Sequence, residues 1–130
     1  MVVFGGRSNV FFNDVWEGSE EEWRYIAPSD PEGDGGPGGR FFHAMSYDSV
    51  RDLVVLVGGI DVNDDFPSEV WEWNGNSWKK GENLNFNGTE VGIYGHTMVY
   101  DEAREESVVV GGGLYSHGDG NQYNLSLIHI

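Results

Sequence analysis

The chain repeats itself, and a repeat of this length restricts the architectures open to it. Residues 40–59 lie over residues 93–112 without a gap, with His43/His96, Met45/Met98, Tyr47/Tyr100, Asp48/Asp101, Arg51/Arg104, Val55/Val108, Val57/Val110 and the pair Gly58-Gly59/Gly111-Gly112 identical at an offset of 53. Residues 1–6 lie over 54–59 at the same offset and bring Gly5-Gly6 onto Gly58-Gly59. A second element follows each glycine pair. Asp14-Val15-Trp16-Glu17 matches Glu69-Val70-Trp71-Glu72, and each Trp is followed by another seven residues on, as Trp16/Trp23 and Trp71/Trp78. Periods of this size mark supersecondary units that bury their apolar faces by stacking on neighbours.

One period reads as four strands and no helix. Residues 42–47 form a short extended segment with aromatic β-formers. Residues 53–57, Leu-Val-Val-Leu-Val, are the continuous apolar run of a strand buried on both faces. Residues 69–73 carry spaced aromatics, and 77–80 make a shorter, more polar strand. Asn74-Gly75 between the last two predicts a type I′ hairpin turn, in which both central residues need φ > 0. The glycine pair ends the buried strand, where a missing Cβ permits φ > 0 or close backbone approach. No window sustains apolar residues at i, i+3, i+4 and i+7.

Composition removes several function classes. With 7 Lys+Arg against 22 Asp+Glu and a net charge of -15, the chain carries no footprint for nucleic acid or for an anionic membrane surface. Zero Cys excludes disulfides, thiolate zinc sites and thiol nucleophiles. No apolar run reaches the roughly 18 residues of a spanning helix, so no membrane insertion is expected.

Residues 40–43, 54–59 and 70–78 resemble bacterial kelch repeats, the class that also forms the central domain of galactose oxidase. The resemblance covers about residues 1–120, and the third repeat departs from it by placing Ile93 where the second has Arg40. It implies an all-β fold, an incomplete kelch-type β-propeller made of four-stranded antiparallel blades. The blade parts are 1–26, 40–80 and 93–124, and residues 125–130 stand off the pattern. That tail reads equally as a divergent strand or as translated sequencing-adapter sequence. A propeller closes with about 4–8 blades, so the expectation is a piece of a larger one, with the remaining blades as partners of its open faces. The resemblance to bacterial members suggests an exported or cell-surface parent.

No catalytic constellation emerges. His43 and His96 recur at one blade position, which places them on neighbouring blades as structural residues with Gly5, Gly6, Gly58, Gly59, Gly111, Gly112, Trp71 and Trp78. His117 and His129 are unrepeated, and His117 falls in a glycine-rich loop. The copper centre that galactose oxidase builds on a Cys-modified Tyr has no Cys here. Gly-x-Ser-x-Gly, phosphate-loop and His-Glu-x-x-His motifs are absent from the chain. Asp61-Val62-Asn63-Asp64-Asp65, with Glu72 at the twelfth place, superficially fits a calcium loop but has Phe66 where that loop needs Gly. It is an irregular calcium site or a solvated acidic loop. The repeated Trp residues pack between blades, whereas Phe11, Phe12, Phe66, Phe86 and Tyr115 are unrepeated loop aromatics and better binding candidates.

An antiparallel meander sends alternate turns to opposite faces. Turns 48–52, 74–76 and 101–105 share one face. Connections 7–13, 27–39, 60–68, 81–92 and 113–120 share the other, and their lengths are unequal, as on binding faces of rigid scaffolds. That second face carries Asp30, Glu32, Asp34, Asp61, Asp64, Asp65, Glu82, Glu90 and Asp119 against Arg7 alone. The expected function is a non-catalytic interaction module that binds protein or glycan there through Asp61, Asp64, Asp65, Phe66 and Tyr115, with calcium as the one possible ion and no cofactor. The alternatives are a portion of a propeller enzyme whose catalytic residues lie elsewhere, and a structural propeller of a large surface protein.

Overall fold

The structure, a computed structural model, describes every residue except Pro31, Glu32 and Asp34. Its strands run β1 (Val2–Phe4), β2 (Val15–Gly18), β3 (Trp23–Ile26), β4 (Arg40–Phe41), β5 (Ala44–Asp48), β6 (Leu53–Val57), β7 (Ile60–Asp61) and β8 (Glu69–Trp73). They continue as β9 (Trp78–Asn83), β10 (Asn85–Phe86), β11 (Thr89–Tyr94), β12 (Thr97–Asp101), β13 (Glu106–Val110), β14 (Gly113–Ser116), β15 (Gln122–Asn124) and β16 (Leu127–His129). No helix among the described residues is long and apolar enough to cross a membrane.

Three antiparallel sheets follow the repeat. Blade 1 is β1-β2-β3, blade 2 is β5-β6-β8-β9 and blade 3 is β12-β13-β16. Blade 2 has the four-stranded meander expected of a β-propeller blade. The register is set by apolar side chains: Leu56 pairs with Trp71, and Val57 with Val70. Strand alternation then divides each blade between two neighbours. Phe4, Val15, Leu56, Trp71, Trp73 and Trp78 fill the space between blades 1 and 2. Val55, Val57, Ile93, Met98 and Val109 fill the space between blades 2 and 3, joined by Leu84, Val91 and Leu114.

The repeated residues are the ones that join blades. The N–H of Gly6 donates to the Arg40 carbonyl at 2.9 Å, and the N–H of Gly59 to the Ile93 carbonyl at 2.8 Å. These are one contact seen twice, 53 residues apart. Because the backbone makes it, Arg40 can give way to Ile93. Gly58 has φ +75, and a Cβ there would strike the Ile93 carbonyl and lie 2.8 Å from Cε1 of His96. Glycine is therefore required for close approach and for φ together. Between blades 2 and 3 the hydroxyls of Ser46 and Ser107 add a buried hydrogen bond of 2.9 Å.

The tight turns explain a second repeated set. Asp48 accepts from the N–H groups of Val50 and Arg51 and from Arg51 Nε. Asp101 accepts likewise from Ala103, Arg104 and Arg104 Nη1. Each turn ends on a residue with φ > 0, Asp52 at 55° and Glu105 at 56°.

Three sequence expectations are corrected, and the tail that the sequence leaves open between two readings forms a strand. Trp73 and Trp78 pair directly, leaving a four-residue loop at 74–77. Only Gly75 has φ > 0 in it, because Asn74 Oδ1 accepts from the Asn76 and Ser77 N–H groups and holds an Asx turn in place of type I′. Connections 81–92 and 113–120 are largely strands: β10-β11-β14-β15 form a further sheet. It enlarges a pairing that blade 2 keeps short, since Arg40↔Asp61 and Phe41↔Ile60 become Ile93↔Leu114 and Tyr94↔Gly113. The segment 125–130, off the repeat pattern in sequence, lays Leu127–His129 on β13 as the third strand of blade 3. Finally, Phe42 is not extended but has φ 59, and its carbonyl accepts the N–H of Gly95, its own repeat mate, at 2.9 Å.

Val57 is fully buried between blades 2 and 3, whereas Asp64 is exposed. Val57→Asp places an unpaired carboxylate in an apolar contact and costs several kcal/mol. Asp64→Ala costs no more than about 0.5 kcal/mol. Thermal melts of the two variants check this, and equal losses of Tm would contradict the blade packing.

Candidate functional site

The two ends of the blades differ in chemistry. At the tight-turn end the repeated carboxylates Asp48 and Asp101 are committed, whereas Glu102 and Glu105 are exposed. Burial pushes Asp48 up, but the backbone and side-chain N–H groups of Arg51 outweigh it and hold its carboxyl below the usual range. Arg51 reaches on to Glu72 at 2.5 Å. Glu72, the twelfth position of the calcium-loop pattern, thus lies with Arg51 and Asp48 on the tight-turn side. It pairs with Val55 and Lys79 in the middle of the blade. Among the described residues no three His, Asp or Glu side chains converge as a metal ligand set.

At the other end stands the loop face. Asp61 closes its own turn: Oδ1 accepts from Asn63 at 2.9 Å and from Asp65 at 3.1 Å, and Asp64 takes φ 59. Asp61 therefore shapes the loop that carries Asp64 and Asp65. Those two are exposed, and their carboxylates make no hydrogen bond or ion pair among the described residues. Glu90 accepts from Ser68, whose hydroxyl holds it below the usual carboxylate range with help from Asn83, against slight desolvation. Of the remaining predicted acids, Asp30 accepts from the Gly35 N–H and Asp119 from the Asn121 N–H and the Tyr123 hydroxyl, Glu82 is exposed, and Glu32 and Asp34 lie outside the described residues.

Phe66 and Tyr115, both predicted here, stack on each other with ring centroids 4.8 Å apart at 23°. The structure adds two members that sequence reasoning missed. Tyr94 lies 4.8 Å from Phe66, and His117 meets Tyr115 edge-on at 5.1 Å while its Nε2 sits 3.0 Å from the Phe66 carbonyl. Blade 1 and blade 2 show the counterpart: Phe11 and Phe41 are 5.6 Å apart, with the Arg7 guanidinium 5.3 Å from one ring and 5.1 Å from the other. Phe41 is the repeat mate of Tyr94, and Phe11 that of Phe66 at the 55-residue offset of the Trp element. Phe11 and Phe66 are thus repeated residues, and each bridges its blade to the next. The signal was present in the sequence but is visible only when the second offset is carried back through the loop. Phe12 and Phe86 are exposed and join neither stack.

Inward of this face lie Arg40, His43 and His96. Arg40 is buried, donating to the Gly38 and Gly58 carbonyls, with Glu69 at 4.0 Å. Burial lowers its pKa, and Glu69 and Asp61 oppose the shift. His43 is also lowered, first by burial and then by Arg40, against the Phe4 carbonyl. Burial brings His96 down to about 4, with the Val57 carbonyl opposing and His43 adding to it. Neither ring nitrogen of His96 has a well-formed hydrogen bond. Both imidazoles are neutral wedges beside the glycine pairs, Gly5 for His43 and Gly58 for His96.

No protein-family model matches the chain, and no curated protein matches it. Among solved structures, a chain described as "Structure of YjhT" matches with TM-score 0.59 and 15% identity over 90% of this chain and 35% of that one. At that identity the likeness shows the fold alone, an all-β array of β-propeller blades. The chain spans about a third of the length of that structure.

The His96 geometry yields a pH dependence. Folded His96 stays neutral down to about pH 4, while in the unfolded chain it binds a proton below about 6.5. Stability is therefore full above about pH 6.5 and falls as pH drops towards 4, by about 2 kcal/mol between pH 7 and pH 5 from this residue. His96→Gln should lose less stability than wild type over that interval in denaturant titrations. Parallel losses would show that His96 is not held neutral at the blade junction.

Proposed function

We propose that the chain is part of a kelch-type propeller acting as a non-catalytic interaction module, which binds a basic protein surface or a glycan on its acidic loop face. The observation that carries this reading is the placement of two uncommitted carboxylates directly beside a rigid aromatic stack. Asp48 and Asp101 are spent on turn backbone and on arginines. Asp64 and Asp65 project without partners, one and two residues ahead of the half-buried Phe66–Tyr115–Tyr94 stack. Uncommitted carboxylates lose no internal bond when a cationic group arrives, and the rigid rings beside them add contact area at little entropic cost. A net charge of -15 also raises the association rate of a basic partner at low salt.

A lysine-rich peptide is a direct probe. Asp64→Asn with Asp65→Asn should weaken its binding several-fold and flatten its salt dependence, read by titration calorimetry at two ionic strengths. Glu102→Gln with Glu105→Gln, which removes the same charge from the tight-turn face, should leave binding within about twofold. Equal losses from both pairs would reduce the effect to net charge and overturn the assignment to the loop face.

A further inference from the structure

Three described pairs place an Asn or Asp directly before a glycine: Asn74-Gly75, Asn87-Gly88 and Asp119-Gly120. At such pairs the glycine nitrogen can reach back to the side-chain carbonyl carbon, because no Cβ stands beside its N–H. Two of the three are tied down. Asn74 Oδ1 accepts from the Asn76 N–H at 2.9 Å and the Ser77 N–H at 2.8 Å, and its Nδ2 donates to Ser77 Oγ at 3.2 Å. Asp119 accepts from the Tyr123 hydroxyl at 2.6 Å and from the Asn121 N–H at 2.9 Å. Those bonds hold its carboxyl below the usual range, and an ionised carboxylate offers no leaving group.

Asn87 is different. With Gly88 it forms the two-residue loop between the paired residues Phe86 and Thr89, at φ 50 and 81. The type I′ turn that the sequence predicts at Asn74-Gly75 thus stands here. Asn87 is exposed, and its amide makes no hydrogen bond among the described residues. A Cβ on Gly88 would meet nothing within 4 Å, so water has free access to the peptide. Gly75 is as open as Gly88, so the two Asn-Gly pairs differ in the asparagine side chain and not in the glycine.

We propose that Asn87 is a modification site of the folded protein, where the amide converts spontaneously to aspartate and isoaspartate while Asn74 is held back. The Gly88 nitrogen gives up its proton and bonds to Cγ of Asn87. The Cγ–Nδ2 bond breaks, and Nδ2 takes up a proton and leaves as ammonia. One water then opens the resulting succinimide. Attack at Cγ yields aspartate, and attack at the main-chain carbonyl yields isoaspartate, whose backbone runs through Cβ and Cγ. One water is consumed and one ammonia released, with nothing oxidised or reduced. Both products put a carboxylate on the loop face. Isoaspartate also lengthens a turn that joins only two residue pairs, so β10 loosens while β11 stays on β14 through four. The reaction needs water alone and is independent of any partner of that face.

Peptide mapping by mass spectrometry, after incubation of the native chain at mildly alkaline pH, tests this. To rotate into reach, Asn74 must give up three hydrogen bonds, so Asn87 should convert faster on the order of tenfold or more. In strong denaturant the two should convert at similar rates, because each is then simply an Asn before Gly. Ser77→Ala, which removes one of the three bonds, should speed native Asn74 several-fold and leave Asn87 unchanged. Equal native rates at the two sites overturn the proposal. So does an Asn87 that converts only in denaturant, which would mean that the turn itself prevents ring closure, and so does a Ser77→Ala protein with an unchanged Asn74 rate.

Discussion

Everything in this array hangs on a backbone hydrogen bond from the second glycine of each of the first two pairs, Gly6 and Gly59, to a carbonyl of the next blade. The Gly59 N–H reaches the Ile93 carbonyl only because Gly58 has no Cβ to obstruct it and both glycines hold φ > 0. That bond brings the following imidazole against Gly58, sets Met98 and Val109 over Val55 and Val57, and places the loop of one blade beside the entry strand of the next. The aromatic pairs Phe11–Phe41 and Phe66–Tyr94 are products of the same spacing. Sheets with an all-apolar second strand are buried on both faces, so a blade without this junction would leave half its core in water.

The division of labour between the two ends follows. Turns that recur in each repeat must be made the same way each time, so Asp48 and Asp101 are bound to their own backbone and to Arg51 and Arg104. The connections at the other end bear no such duty once the junction is made. They vary in length, carry free carboxylates at Asp64 and Asp65, and in blade 3 fold into a sheet of their own. Phe42 belongs to this freedom: it takes a left-handed backbone, costly for a bulky residue, where its mate at 95 is glycine. The conformation is retained because its carbonyl receives the Gly95 N–H.

The blade strands, the glycine pairs and the structural place of His43 and His96 were legible in the sequence because each is an identity repeated at constant offset. What escaped reading had a different physical origin. The Asn74 turn depends on a side-chain oxygen competing for backbone donors, which a dipeptide rule does not weigh. The sheet built on β11 and β14 arises from pairing between segments far apart in sequence, with only a weak Thr89–Tyr94 alternation to announce it. At the candidate site, Phe66 and Tyr115 were found as aromatics in loops, but their stacking partner Tyr94 was hidden inside the repeat itself. Asp61 was grouped with Asp64 and Asp65 by spacing, and only its hydrogen bonds separate the residue that shapes the loop from the two left free.

Amide hydrogen exchange on the dilute chain tests the junction most directly. Gly6, Gly59 and Gly112 are repeat mates, and two of them have a carbonyl from the following blade while Gly112 has none among the described residues. The account predicts slow exchange at Gly6 and Gly59, approaching global unfolding at Gly59, and fast exchange at Gly112. Exchange at Gly59 as fast as at Gly112 would contradict it, because the blades would then be held by apolar packing without the glycine-to-carbonyl bond.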